Sequence, residues 1–288
     1  MTEVGVRFPG RFRTGCVTIA ATVATVVSTP AQADAPEPLN YVALGDSAAA
    51  GPLIPQQDVN LLCLRSNNNY PAVVAKALGA RLTDVSCSGA TTKDFTARRF
   101  GLLAPQFDAL RPGTDLVSVT VGANDSGLFQ EALGCVNFLP EPFGRSCADT
   151  LTSGGVDRLD GAVRAWAPRF GTALKEIKRR SPHATVVVTG YGTYVREGGC
   201  HPVQPVWARD ANYLQGVMNK VSAAAREQAR QHGARFVDVA ALTVGHDICA
   251  APKDRYLEGL VPSHAAAPLH PNAQGMAVVG DAVAAAAR

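Results

Sequence analysis

The sequence predicts an α/β protein built on a parallel sheet, and three observations carry that expectation. Five short runs rich in β-branched and apolar residues are spaced along the chain, at residues 41–44, 81–85, 116–121, 185–188 and 235–239. Two of them, Leu116-Val117-Ser118-Val119-Thr120-Val121 and Ala184-Thr185-Val186-Val187-Val188, are close to continuously apolar, as strands covered on both faces are. Between the runs lie stretches with apolar residues at three- and four-residue spacing, and strand, helix, strand repetition implies right-handed crossovers.

The elements follow in chain order. Arg7, Arg11 and Arg13 precede an uncharged run over residues 15–27, and Pro30-Ala31-Gln32-Ala33 then offers small residues at the spacing of a cleavage site. An apolar run of about thirteen residues falls short of the roughly twenty needed to span a bilayer. Residues 1–33 are therefore expected to be a secretory signal peptide that takes Cys16 with it, and residues 34–288 a single domain. That domain is expected outside the cell or in the cell envelope, with no stable membrane insertion. Each of the five runs reads as a buried strand. Residues 70–78, 156–180, 211–232 and 272–287 read as helices, alanine-rich and, in all but the last, bearing Lys or Arg. Two long irregular stretches, 126–150 and 191–206, hold Pro and Gly, with Phe in the first, and loops of that length usually form functional walls or lids.

Composition excludes several classes. Charged residues make up 18% of the chain, against roughly 25% in typical soluble domains, and 47% is hydrophobic, so disorder is not its main state. Net charge is 27 − 24 = +3. Removing residues 1–33 takes away three arginines and Glu3, leaving 24 − 23 = +1. No basic surface remains for nucleic acid, and 6% aromatics suggest no stacking platform. The mature chain keeps six cysteines, Cys63, Cys87, Cys135, Cys147, Cys200 and Cys249, an even number suited to an oxidising compartment. Three disulfides are expected. The sequence does not choose among their connectivities, but pairing sequence neighbours would staple one loop region each. No C-x-x-C string or Cys/His cluster has the spacing of a metal site.

In an open parallel sheet, ligands bind beyond the carboxyl ends of the strands. Three such positions are unusual here: Gly45-Asp46-Ser47, Ser86-Cys87-Ser88-Gly89 and Gly122-Ala123-Asn124-Asp125 follow the first three runs. A fourth, Leu269-His270-Pro271-Asn272, precedes the last helix. Each alone is most simply a turn, a loop glycine or a helix cap. Together they supply a nucleophile, a base and fixed donors. A serine hydroxyl needs an imidazole to take its proton, and the oxyanion formed on attack needs preorganised N–H groups. Ser47 and His270 meet the first need; the backbone N–H groups of Ser47 and Gly89 and the Asn124 amide meet the second.

These four blocks resemble those of the SGNH (GDSL) hydrolase family, over nearly the whole chain from residue 41 to residue 287, and the three-disulfide form resembles the secreted actinobacterial esterases and lipases. The resemblance implies a flavodoxin-like three-layer α/β/α sandwich on a five-stranded parallel sheet. It also implies catalysis by Ser47 and His270, an oxyanion hole of Ser47, Gly89 and Asn124, no cofactor and no metal. One departure stands out. The family commonly places an aspartate three residues before the histidine, and here that position is Ala267. A backbone carbonyl can hold the same tautomer, so the carbonyl of Ala267 or one close to it is expected to orient His270 in a Ser-His dyad. Asp46 and Asp125 are expected to hold their own loops. Phe129, Leu133, Phe138, Leu139 and Phe143, with Tyr191, Tyr194 and Trp207, are candidate walls of an acyl pocket. The expected protein is a monomeric ester hydrolase acting on a small-molecule or lipid ester. A polysaccharide O-acetylesterase, a phospholipase and an inactive binding protein with a relict site are the alternatives.

Overall fold

The computed structural model describes residues 14–16, 37–59 and 61–288. Thr14, Gly15 and Cys16 belong to an N-terminal unit ending at Glu37, and the remainder of the expected signal peptide lies outside the described residues. All described strands and helices belong to the second unit, Pro38–Arg288. Its strands are β1 (Asn40–Gly45), β2 (Arg81–Asp84), β3 (Leu116–Thr120), β4 (Thr185–Thr189) and β5 (Arg235–Val237). Its helices are α1 (Ser47–Ala50), α2 (Tyr70–Leu78), α3 (Leu128–Leu133), α4 (Cys147–Leu151), α5 (Arg158–Arg180), α6 (Ala208–Gln231), α7 (Val239–Leu242) and α8 (Ala273–Ala287).

All strand pairs are parallel, in the order β2-β1-β3-β4-β5. That is the flavodoxin-like order, whose direction of winding reverses between β1 and β3. Alternation along each strand separates two cores. Val42, Leu44, Val117, Val119, Val186 and Val188 point to one face, where Trp166, Phe170, Leu174 and Ile177 of α5 and Val217, Val221 and Ala225 of α6 cover them. Tyr41, Ala43, Leu116 and Val187 point to the other, against Val74 of α2 and Met276, Val279 and Val283 of α8. Helices on both faces of one sheet give the expected three layers.

Helix ends follow local chemistry. Asp157, Asn272 and Asn69 accept backbone N–H groups at the starts of α5, α8 and α2, each satisfying a donor with no partner inside the helix. Two strands differ from expectation. β2 is not buried: its residues alternate between exposed and half-buried, because it forms a sheet edge. β5 stops at Val237, where Asp238 accepts from Ala241 N and turns the chain into α7. The stretch 126–150 is also less irregular than expected, since it contains α3 and α4. The disulfides join Cys63–Cys87, Cys135–Cys147 and Cys200–Cys249, pairing sequence neighbours. Among the described residues, no helix is long and apolar enough to cross a membrane.

Candidate active site

The reversal point between β1 and β3 is where the sequence blocks meet. β1 ends at Gly45, whose φ of 141° suits glycine, and a Cβ there would stand 2.4 Å from the Thr120 carbonyl oxygen of β3. Only a residue without a side chain lets the two strands stay paired at this point. Gln106 fixes the same residue from the side: its amide accepts from Gly45 N at 2.8 Å and donates to Gly45 O at 2.9 Å. The chain then turns into α1, with Ser47 as its first residue. Asp46 is the cap, its Oδ1 accepting from Ala48 N at 2.9 Å.

His270 Nε2 lies 2.7 Å from Ser47 Oγ, and His270 Nδ1 lies 2.7 Å from the carbonyl oxygen of Pro268. A carbonyl oxygen only accepts, so Nδ1 carries the proton and Nε2 presents its lone pair to the serine hydroxyl. Burial holds the imidazole pKa below its ordinary value, opposed by the bond to Pro268, so the ring is neutral at neutral pH and able to take a proton.

The orienting carbonyl is therefore that of Pro268 and not of Ala267. Leu269 has a positive φ of 59°, and this turn brings the carbonyl two residues back onto the ring, while Ala267 N–H is tied to Pro52 O at 2.9 Å. Neither Asp247 nor Asp254 is the partner of Nδ1: the Asp247 carboxylate takes Arg196 Nε and Cys249 N, and the Asp254 side chain takes Lys253. The segment is held from beneath by Asn272. Its amide donates to Arg255 O and to the buried Glu258 Oε1 while its Oδ1 caps α8.

Asn124 follows β3 and lines the same cavity as Ser47 and His270. One N–H of its amide donates to Ala90 O at 3.0 Å, which leaves the second N–H for a ligand. That bond brings the loop carrying Gly89 against Asn124, although Gly89 itself is not part of the cavity lining. Gly89 has a φ of 77°, and a Cβ there would meet the Arg99 guanidinium at 2.7 Å. Among the described residues, neither the Ser47 nor the Gly89 backbone N–H has a protein acceptor. Asp125 ties its own loop to another one, accepting from both N and Oγ1 of Thr92.

Two features are only partly legible in the sequence. The first is Tyr191, just beyond β4. Its hydroxyl donates to Asp46 Oδ2 at 2.5 Å and accepts from Ala123 N at 3.1 Å. Burial pushes the Asp46 carboxyl up to about 7, moderated by the bonds from Tyr191 and Ala48. The second is the cavity wall. A cavity of about 100 Å³ is lined by Leu128, Phe129 and Ala132 of α3 and by Ala211, Leu214 and Met218 of α6, besides Tyr191 and Tyr194. Of the expected wall residues, Phe129, Tyr191 and Tyr194 are in place. Leu133, Phe138, Leu139 and Phe143 are solvent-exposed, and Trp207 is buried outside the lining, donating to Leu139 O. A neutral imidazole on a serine hydroxyl, free N–H donors beside them and an adjoining apolar cavity can carry out acyl transfer.

Comparison with known proteins agrees with this chemistry. The GDSL-like lipase/acylhydrolase family profile matches residues 43–278. Lipase 2 of Streptomyces coelicolor is 40% identical over 268 residues, covering 91% of this chain and 89% of the relative. Among solved structures, the extracellular lipase of Streptomyces rimosus superposes with a TM-score of 0.70 at 27% identity, covering 85% of this chain and 99% of that one. Phospholipase A1 of Streptomyces albidoflavus does so with a TM-score of 0.70 at 26% identity, covering 85% and 100%.

Proposed function

The chain belongs to the GDSL-like lipase/acylhydrolase family and is a carboxylic ester hydrolase, and from that premise we propose that it works through an acyl-enzyme on Ser47 with His270 as the base of a Ser-His dyad. His270 Nε2 takes the proton of Ser47 Oγ as the oxygen attacks the ester carbonyl. The oxyanion is held by the N–H groups of Ser47 and Gly89 and by the Asn124 amide. On collapse the bond to the alkoxy oxygen breaks, and His270 returns the proton to the leaving alcohol. Water then repeats the sequence on the acyl-enzyme, giving up a proton to His270, and the carboxylic acid leaves with Ser47 restored. No step draws on a cofactor.

The observation that carries this reading is the continuous chain from Pro268 O through the imidazole to Ser47 Oγ, with both bonds at 2.7 Å. The apolar cavity supports an acyl chain as its occupant. Its lining of Leu128, Phe129, Leu214 and Met218 is apolar, which favours a lipid ester over a polysaccharide acetyl group. The protein is released from the cell after residues 1–33 are removed, a reading supported by its three disulfides and by its likeness to an extracellular lipase. The test is hydrolysis of p-nitrophenyl esters from acetyl to palmitoyl by wild type and Ser47→Ala side by side. Turnover by wild type and none by the variant is the expected result; equal rates would remove Ser47 from the chemistry.

A further inference from the structure

We propose that Tyr191 is a positioning residue for oxyanion stabilisation: its hydroxyl ties the Ser47 loop to the Asn124 loop and thereby fixes the separation of two donors of the hole. The inference rests on the reading of Asn124 as a hole donor given above.

The β1–β3 ladder ends with Gly45 opposite Thr120, and one more bond, Asp46 N to Thr120 O at 2.9 Å, closes it. Beyond that point the two chains part, one into α1 with Ser47 and the other into the loop with Asn124. Tyr191 arrives from the next strand, β4, and its hydroxyl sits between them. It donates to the side chain of the residue before Ser47 and accepts from the backbone N–H of the residue before Asn124. Both partners are buried, with Asp46 1% and Ala123 9% exposed. The tyrosine is itself fixed from behind, its backbone N–H donating to Ser222 Oγ of α6 at 2.9 Å. One hydroxyl thus sets a dimension that neither strand pairing nor α1 sets. Oxyanion donors act by being in place before charge develops, so a shift in that dimension affects the transition state more than substrate binding.

The experiment is a double-mutant cycle on p-nitrophenyl ester hydrolysis with Tyr191→Phe, Asn124→Ala and the double variant, read as kcat and KM separately. Tyr191→Phe keeps the ring that lines the cavity and the bond to Ser222. The losses expected in kcat are roughly 10²–10³-fold for Asn124→Ala and roughly 10–10²-fold for Tyr191→Phe, with KM within about twofold in both. The double variant is expected to fall no further than Asn124→Ala alone, because a positioning residue has nothing to position once its target is gone. Ser222→Ala, which loosens the tyrosine backbone but leaves its hydroxyl bonds, serves as a packing control and is expected to stay within a few-fold of wild type. Circular dichroism and melting temperature give the folded fraction for each rate. Multiplying losses in the double variant, a loss confined to KM, a Ser222→Ala loss equal to that of Tyr191→Phe, or wild-type kcat in Tyr191→Phe would each overturn the proposal. Wild-type kcat in Asn124→Ala would overturn both the proposal and the hole on which it rests, while Ser47→Ala separately reports on the nucleophile.

Discussion

Filling the deep end of the cavity should shorten the acyl chain the enzyme prefers, and the size of the effect follows from α6. The chain leaves β4 at its carboxyl end and returns along α6, so the start of α6 lies at the level of Ser47 and its later residues lie deeper. Ala211, Leu214, Gln215 and Met218 all line the cavity, at helical spacings of three, four and seven residues. Seven residues at 1.5 Å each give roughly 10 Å of wall, about the length of an eight-carbon chain. Each buried methylene is worth about 0.8 kcal/mol, or roughly fourfold in kcat/KM per carbon until the wall ends. Replacing Met218 by the bulkier indole in Met218→Trp removes room for about two methylenes, a loss of about 1.6 kcal/mol or roughly 15-fold on the octanoyl ester. The acetyl ester, which does not reach Met218, should change less than about twofold by the same count. The assay is kcat/KM over a p-nitrophenyl series from acetyl to lauroyl, in which only the acyl part varies. An octanoyl-to-acetyl ratio equal to that of wild type would show that the acyl chain does not run along α6.

Two further perturbations probe the base and the wall. Because burial lowers the His270 pKa, the neutral, active form persists as pH falls, and the acid limb of kcat/KM should have its midpoint below the ordinary histidine value of about 6.5. Asp46, pushed up to about 7, titrates nearby, so the profile is compared in Asp46→Asn; a limb that disappears there would assign it to Asp46 and refute the histidine reading. Cys200 lines the cavity and is bonded to Cys249 across a sequence separation of 49. Opening that loop in the double variant Cys200→Ser/Cys249→Ser should cost about 4 kcal/mol and lower octanoyl turnover; an unchanged melting temperature would contradict a stapling role.

How much of this was legible in the sequence depends on what kind of information each part carries. The four blocks were legible because each sits directly after a strand or before a helix, where strand alternation and capping chemistry already fix the backbone. Ser47, His270 and Asn124 are also residue types with few alternatives for their roles. The orienting carbonyl was legible only to within a residue, since every position carries one and the choice of Pro268 over Ala267 depends on the positive φ of Leu269. The cavity wall was misread for a related reason. Leu214 and Met218 lie at the same helical spacing as core residues, and nothing in that pattern separates a wall from a core. The phenylalanines of 129–143 looked like a wall because they are large and apolar, yet Phe138 and Phe143 face solvent. β2 was the clearest missed signal, because Arg81-Leu82-Thr83-Asp84 alternates as an edge strand does and not as a buried one.

The missing aspartate changes where the catalytic advantage must come from. In a triad a full negative charge stabilises the imidazolium that forms as the serine gives up its proton; in the dyad proposed here a single carbonyl dipole would do so, and the burial that lowers the His270 pKa also resists its protonation. The nearby buried carboxylate, Asp46, is on the serine side and is bound to Tyr191 and the start of α1. With less help for the positive partner of the transition state, the proposed mechanism puts more of the stabilisation on the negative one, at Ser47 N, Gly89 N and the Asn124 amide. Preorganised donors are worth most in a site that excludes water, and the apolar cavity beside them supplies that condition. It follows that changes which displace the donors, through Asn124 or through Tyr191, should weigh more heavily on kcat than changes at positions 267–269 that merely loosen the imidazole.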